Sequence, residues 1–198
     1  MKDKPLISYE LDQYIDKAQD TSSLPGGGSI CALVASLAGS LTLMVYKLSK
    51  KDLDQDRVLE AIDLLKTNVD RDAHAFDQVV QAMALPKETE EEKKIRSEKI
   101  QAGYRVAIQV PLATVKSSLD ILRVLAPLRD QVSIYAKSDM AIAVDMCDLA
   151  IKGSIQTINL NLKGLKDGQE VQAFEEEIRD LVEEKEGLLD LIRRDLGQ

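Results

Sequence analysis

Ser23-Leu24-Pro25-Gly26-Gly27-Gly28-Ser29-Ile30-Cys31-Ala32-Leu33-Val34-Ala35-Ser36-Leu37-Ala38-Gly39-Ser40-Leu41-Thr42-Leu43-Met44-Val45-Tyr46-Lys47-Leu48 opens on a proline and three glycines and then stays apolar for most of its length. The run from Ser29 to Leu48 approaches the length of a membrane span. Ser36, Gly39, Ser40 and Thr42 interrupt it, however, and the sequence around it reads as soluble helix, so it is expected to be the central helix of a bundle. Ala32, Ser36 and Ser40 recur every four residues, as do Ala35 and Gly39, which lets neighbouring helix backbones come close on two faces. A close-packed subunit contact and the buried core helix of a monomer both fit that pattern. The glycines admit two readings as well. Three in succession cost backbone entropy and allow main-chain amides to approach a ligand at a helix N-terminus, where unpaired N–H groups favour a carboxylate, a phosphate or a carbonyl oxygen. A flexible connector is the other reading, since the segment is neither GxGxxG nor a Walker sequence.

Working outward, helical periodicity continues. Val58, Ile62, Leu65, Val69, Ala73, Phe76, Val80 and Met83 return every three or four residues, predicting one long amphipathic helix from Asp54 to Leu85 that ends near Pro86. Thr89-Glu90-Glu91-Glu92 has the form of a capping box and predicts a helix start. Pro111 falls within the apolar continuation Val106–Val124, and a kink or break is expected just before it. A further helix is predicted over about Ser133–Ile151. The last runs through Val171, Phe174, Ile178, Leu181, Leu188 and Ile192, its acidic face read as solvated. No window alternates as a strand does, and Asp167-Gly168 separates two helical stretches rather than forming a hairpin. The expected fold is all-α, one helical-bundle domain over residues 1–198.

Composition narrows the function. The chain of 198 residues carries 26 Lys+Arg against 34 Asp+Glu, a net −8, and so lacks the basic excess that neutralises nucleic-acid phosphates. Residues 170–198 alone hold ten acids against four bases, leaving the remainder nearly balanced and an anionic small substrate admissible. Cys31 and Cys147 lie far apart and there is a single histidine, so no zinc cage or redox pair has recognisable spacing; both cysteines read as buried small hydrophobes. No leader or transit signal is evident, which makes the cytosol the expected compartment, with neither membrane nor nucleic acid as partner.

Several side chains are candidates for chemistry. Asp139, after Ser138 and before the apolar run Met140–Ala143, either faces a dry pocket, where its pKa would rise, or serves as an acid at a helix start. Asp72 and His74 stand two apart on a helix and face different ways. Lys47, Lys50 and Lys51 either complement a helix C-terminus or bind an anion. Asn159 and Asn161 either cap backbone carbonyls or read a ligand's polar edge.

Taken in order, Pro25-Gly26-Gly27-Gly28-Ser29, the Ala/Leu-rich helix ending Leu43-Met44-Val45, Asp72-x-x-Ala75-Phe76, Pro111, Ser138-Asp139 and Ile158-Asn159-Leu160-Asn161-Leu162 resemble the cyclodeaminase/cyclohydrolase family. That family comprises the C-terminal half of formiminotransferase-cyclodeaminase and standalone bacterial methenyltetrahydrofolate cyclohydrolases. The resemblance covers nearly the whole chain, and its most specific part is the glycine segment with the helix after it. It implies an all-helical, cyclodeaminase-like subunit that forms a homodimer, with folate sites near the subunit interface and neither metal nor redox cofactor. The substrate implied is a tetrahydrofolate derivative. Hydrolysis of 5,10-methenyltetrahydrofolate to 10-formyltetrahydrofolate leads, with formiminotetrahydrofolate cyclodeaminase activity or a catalytically silent folate-binding dimer as alternatives. On this expectation Asp139 is the catalytic base or acid, and Gly26, Gly27, Gly28 and Ser29 hold the folate through main-chain amides. Lys50 or Lys51 meets the glutamate tail, Asn161 orients the pterin or the bridge, Asp72 is a second polar contact or a partner for one of the lysines, and Pro25 and Ser138 complete the substrate-binding set. Three departures stand out: Val132-Ser133 replaces a Gly-Asn pair, Thr157 replaces an Asn, and Lys50-Lys51-Asp52 abbreviates a basic run.

Overall fold

The computed structural model describes residues 4–20, 25–49 and 54–196, so Lys50 and Lys51 lie outside the described residues. Seven α-helices follow in order: α1 Leu11–Ala18, α2 Gly27–Ser49, α3 Gln55–Ala75, α4 Asp77–Met83, α5 Glu90–Leu125, α6 Lys137–Leu162 and α7 Gly168–Leu196. Short 3-10 turns occur at Leu6–Ser8, Ala126–Leu128 and Ile134–Ala136, and no strand appears among the described residues. The all-α expectation therefore holds.

Packing follows side-chain size. α2 is central, lying against α3 and α6, while α5 packs on α3, α4 and α6. Ala32, Ala35, Ala38 and Val45 of α2 are fully buried. Gly39 sits so near α3 that a Cβ there would come within 2.6 Å of Ile62 Cγ1, which is why a small residue is needed. Ser40, read as part of that small-residue seam, instead faces outward and donates its hydroxyl to the Ser36 carbonyl. α2 is also long and apolar enough to cross a membrane by length and composition, but half of its apolar window is buried inside the chain.

Two helix boundaries differ from expectation. The predicted Asp54–Leu85 rod is divided at Phe76, where α3 ends and α4 begins. No glycine or proline stands there, so the cause is tertiary. The Phe76 ring packs edge-on against Tyr104, centroids 6.2 Å apart, and α4 turns onto α5 at Gly103, where a Cβ would approach Val79 N to 2.9 Å. Conversely, α5 runs unbroken through Pro111. Proline supplies no N–H for the carbonyl four residues earlier, that of Ala107. Asn161 of α6 takes that role, its Nδ2 donating to the Ala107 carbonyl at 3.1 Å. An interhelical side chain thus replaces the missing rung of the helix. The Thr89 cap forms as its sequence predicts, with Glu92 N donating to Thr89 Oγ1 at 3.2 Å and Thr89 N donating to Glu92 Oε2 at 2.9 Å.

α6 extends well beyond Ile151, to Leu162. α7 then returns parallel to α5, and its acidic face is not simply solvated. Arg105, Lys116, Arg123 and Arg129 meet Glu170, Glu177, Glu184 and Asp195 in sequence along the two helices, at 2.5–2.8 Å. On the side toward α6, Lys185 is almost wholly buried and meets Asp148 at 3.2 Å, with Lys152 and Arg193 also on that carboxylate.

Candidate active site

The N-terminus of α2, the C-terminal ends of α3 and α6 and the middle of α5 converge on a groove of about 500 Å³. Gly26, Gly27 and Gly28 form one wall, Asp72 and Phe76 another, with Tyr104, Thr157 and Asn161 closing it. A shallower extension continues past Cys31, Gly153 and Gln156. The size suits a small molecule.

Asp72 is the carboxyl group inside this groove. It accepts a hydrogen bond from the Ser29 backbone N–H, in the first turn of α2, where the helix dipole favours negative charge. Burial nevertheless dominates, and the carboxyl is held above the ordinary carboxylate range, with the Ser29 amide opposing the rise. Gly28 makes this approach possible, since a Cβ there would fall directly on the Asp72 carboxylate. Gly26 and Gly27 would meet nothing on gaining a Cβ. They face open space beside the unpaired amides at the start of α2. The glycine segment is thus explained at one position by a close contact within the chain.

The other candidates divide. Ser29 is buried, with its hydroxyl donated to the Val69 carbonyl at 2.7 Å and accepting from Tyr14 Oη at 3.3 Å, so it fixes α2 on α3 rather than facing the groove. Asn161 spends its amide hydrogens on the carbonyls of Ala107 and Thr157, at 3.1 and 3.0 Å. That leaves its side-chain oxygen as the group able to accept from a ligand. Pro25 is buried just ahead of the groove. Ser138 and Asp139 lie in the first turn of α6, Ser138 exposed and Asp139 half-buried. Asn161 is twenty-two residues further along the same helix, so Asp139 stands about 33 Å from the groove within one chain. A single chain therefore unites Gly26–Gly28, Asp72 and Asn161 and leaves Asp139 at the far end. His74 faces away from Asp72, as their spacing predicts, and meets exposed Asp77 at 3.1 Å.

Sequence reasoning missed the aromatic pair Phe76 and Tyr104, whose rings form an apolar wall; the only sign was the Ala75-Phe76 step next to Asp72. Cys31 is half-buried rather than buried, and burial, reinforced by the Asp72 charge, pushes its thiol pKa up. Cys147 is fully buried, and burial raises its pKa as well. Of the departures from the family pattern, Thr157 lines the groove, while Val132 and Ser133 lie just before α6, where Ser133 N donates to Ser49 Oγ at 3.2 Å.

Comparison with known proteins places this geometry. The formimidoyltransferase-cyclodeaminase of Gallus gallus is 31% identical over 177 residues, 84% of this chain and 33% of the relative. The chain thus spans about a third of that bifunctional protein. The methenyltetrahydrofolate cyclohydrolase of Methylorubrum extorquens is 30% identical over 190 residues, 90% of this chain and 88% of the relative. The crystal structure of formiminotetrahydrofolate cyclodeaminase from Thermotoga maritima superposes with a TM-score of 0.85 at 21% identity, covering 96% of each chain, and shares the fold. The family model described as formiminotransferase-cyclodeaminase matches residues 10–180, and the chain belongs to that family.

Proposed function

We propose that the protein is a folate one-carbon enzyme acting on the bridge of a one-carbon-substituted tetrahydrofolate, with 5,10-methenyltetrahydrofolate hydrolysis as the leading reaction and formimino cyclodeamination as its alternative. The observation that carries this reading is the Asp72 carboxyl, held above its usual range in a groove with the glycine start of α2 on one side and two aromatic rings on the other. Both activities are those for which relatives are named. A flat pterin stacks on one of the Phe76 and Tyr104 rings and meets the other edge-on, since the two planes stand at 64°, and the Asn161 side-chain oxygen accepts from its N–H edge.

The chemistry follows from the protonation state of one group. In hydrolysis, Asp72 accepts a proton from water as the oxygen bonds to the cationic bridge carbon. The hydroxyl oxygen then loses its remaining proton to solvent as it becomes the formyl C=O, the C–N5 bond breaks, N5 takes up the proton held by Asp72, and the formyl group stays on N10. In cyclodeamination, N10 attacks the formimino carbon and passes its proton to the imino nitrogen, and the C–N bond to that amine breaks as protonated Asp72 supplies the further proton that completes ammonia. A carboxyl with a raised pKa serves either step. Hydrolysis requires its ionised form, so kcat/KM rises with pH through the Asp72 pKa; deamination requires the protonated form, so kcat/KM falls through it.

The reading includes a homodimer. Ile30, Leu37, Met44 and Leu48 on α2, with Tyr135, Ile142, Leu149 and Leu160 on and beside α6, are exposed. The two antiparallel helices bear them at heptad-like spacing over about 30 Å, a face on the order of 600 Å² that approaches a standard interface of roughly 800 Å² per partner. A second copy packed antiparallel on this face carries Asp139 of one subunit toward the groove of the other, and in that arrangement Asp139 contributes across the interface.

The test is direct. Loss of methenyltetrahydrofolate near-ultraviolet absorbance above the spontaneous rate, or ammonia release from formiminotetrahydrofolate, is expected from the purified protein and abolished by Asp72→Asn. Full turnover by Asp72→Asn refutes the assignment, and folate binding with neither turnover identifies a silent module. Mixing Asp72→Asn with Asp139→Asn subunits restores part of the activity only if Asp139 acts across the dimer. Leu37→Glu is expected to halve the mass measured by light scattering.

A further inference from the structure

A second cleft, of about 560 Å³, lies between the N-terminal arm and the outer face of α3, lined by Lys4, Tyr9, Lys17, Lys66, Asp70 and Arg71. It is separate from the groove. On α3, residues 66, 70 and 71 face this cleft while 72, 75 and 76 face the groove, and at about 100° per residue the two sets point to opposite sides of the helix. The arm is held in place, because Leu6 is buried against Tyr14, Val69 and Ala73 and its N–H donates to Asp70 Oδ1 at 2.5 Å, with Ile7 N at 3.4 Å from the other oxygen.

The charge in this cleft is the unusual feature. In a chain with a net −8, Arg57, Arg105, Arg123, Arg129 and Arg193 each meet a carboxylate. Arg71, like Arg96 on the Met83 carbonyl, meets no carboxylate among the described residues and reaches the Asn68 amide oxygen at 3.4 Å. Lys4 and Lys17 sit over the Tyr9 ring at 5.1 and 5.3 Å, and neither forms an ion pair with an acid among the described residues. Lys66 has a long contact to exposed Asp63 at 3.5 Å, and His74 at the rim is taken by Asp77. Among the described residues the one carboxylate in the cleft is Asp70, whose oxygens are turned to the arm's amides. Four cations therefore line one concave surface, and like charges gathered in this way repel one another unless an anion lies between them.

We propose that this cleft binds a small polyanion, a short chain of phosphates or carboxylates, with Arg71 as the bidentate contact and Lys4, Lys17 and Lys66 as point charges around it. The site goes beyond the folate reading and stands apart from the Asp72 groove. Isothermal titration of the full chain with inorganic tripolyphosphate and with γ-linked triglutamate tests it. Saturable binding of at least one is expected with Kd below about 1 mM at low salt, weakening as salt rises. The better-bound ligand identifies the phosphate or carboxylate source. Lys66→Ala with Arg71→Ala, both exposed positions, is expected to weaken binding about tenfold or more, and Lys17→Ala to weaken it independently. Lys116→Ala, on the far face, and Asp72→Asn, in the groove, leave it unchanged. No saturable binding of either probe, or equal binding by the double variant, overturns the proposal whether or not the groove turns over folate.

Discussion

Asn161→Ala offers a quantitative check on how α5 tolerates Pro111. The substitution removes the Nδ2 donor that reaches the Ala107 carbonyl at 3.1 Å, and proline supplies no N–H in its place. A buried carbonyl left without a donor costs about 1–3 kcal/mol. In a Pro111→Ala background, the new amide at 111 satisfies that carbonyl through the helix itself, so the same Asn161→Ala change should cost only about 0.5–1 kcal/mol. The two substitutions are therefore coupled by about 1 kcal/mol or more, within the range found for residues sharing one hydrogen-bond network. For a domain of this size about 1 kcal/mol corresponds to roughly 2–4 °C in Tm. Urea unfolding of the four proteins, followed by far-ultraviolet circular dichroism, gives the coupling directly. Additive costs within about 0.3 kcal/mol would refute the claim that Asn161 substitutes for the missing rung.

Further predictions concern the groove and the core. Gly28→Ala displaces the Asp72 carboxylate while Gly27→Ala adds a methyl in open space; kcat/KM should fall about 100-fold in the first and little in the second, and equal effects would disprove the close-contact account. Phe76→Ala should raise KM about tenfold with a small change in Tm, because the exposed ring stacks on ligand more than it supports the core. Asp72 binds its proton more tightly folded than unfolded, so its contribution to stability is present below about pH 3.9 and fades as pH rises through the raised value; Asp72→Asn should keep or increase Tm at pH 7. Asp148 is the opposite case: Lys152, Lys185 and Arg193 overcome desolvation and lower its pKa, so its contribution is present above about pH 3.9 and is lost as pH falls through the depressed value. Asp148→Ala removes the buried one of the two carboxylates on Lys185, leaving Glu186 at 2.7 Å, and should cost about 1–3 kcal/mol in urea unfolding, part of it recovered by adding Lys185→Met.

What could be read from sequence depended on whether the cause was local. Thr89 and Glu92 declare a helix start because the cap is made within four residues, and Asp167-Gly168 marks a boundary for a similar reason. The apolar girth of α2 identified it as central. At Phe76 and Pro111 local chemistry was outvoted by another helix, α5 drawing α4 away from α3 at Gly103 and α6 lending Asn161 to Ala107, so the continuous rod is divided at the first and the helix is not broken at the second. The site was half legible. The sequence singled out the glycines, Asp72 and Asp139, but which of the two carboxyls lines the groove of one chain depends on how α2 and α3 are docked, which no local spacing encodes. Phe76 and Tyr104 come from different helices, and no spacing rule joins them.

The ladder between α5 and α7 changes what the formal charge of this molecule means to an approaching solute. Much of the acid surplus belongs to the last helix, and there a run of arginine and lysine partners lies a few ångströms away. Fields from such neighbours largely cancel beyond a Debye length of about 8 Å at physiological ionic strength. A negatively charged metabolite arriving at the opposite side of the bundle thus encounters a far more hospitable landscape than a calculated isoelectric point would advertise.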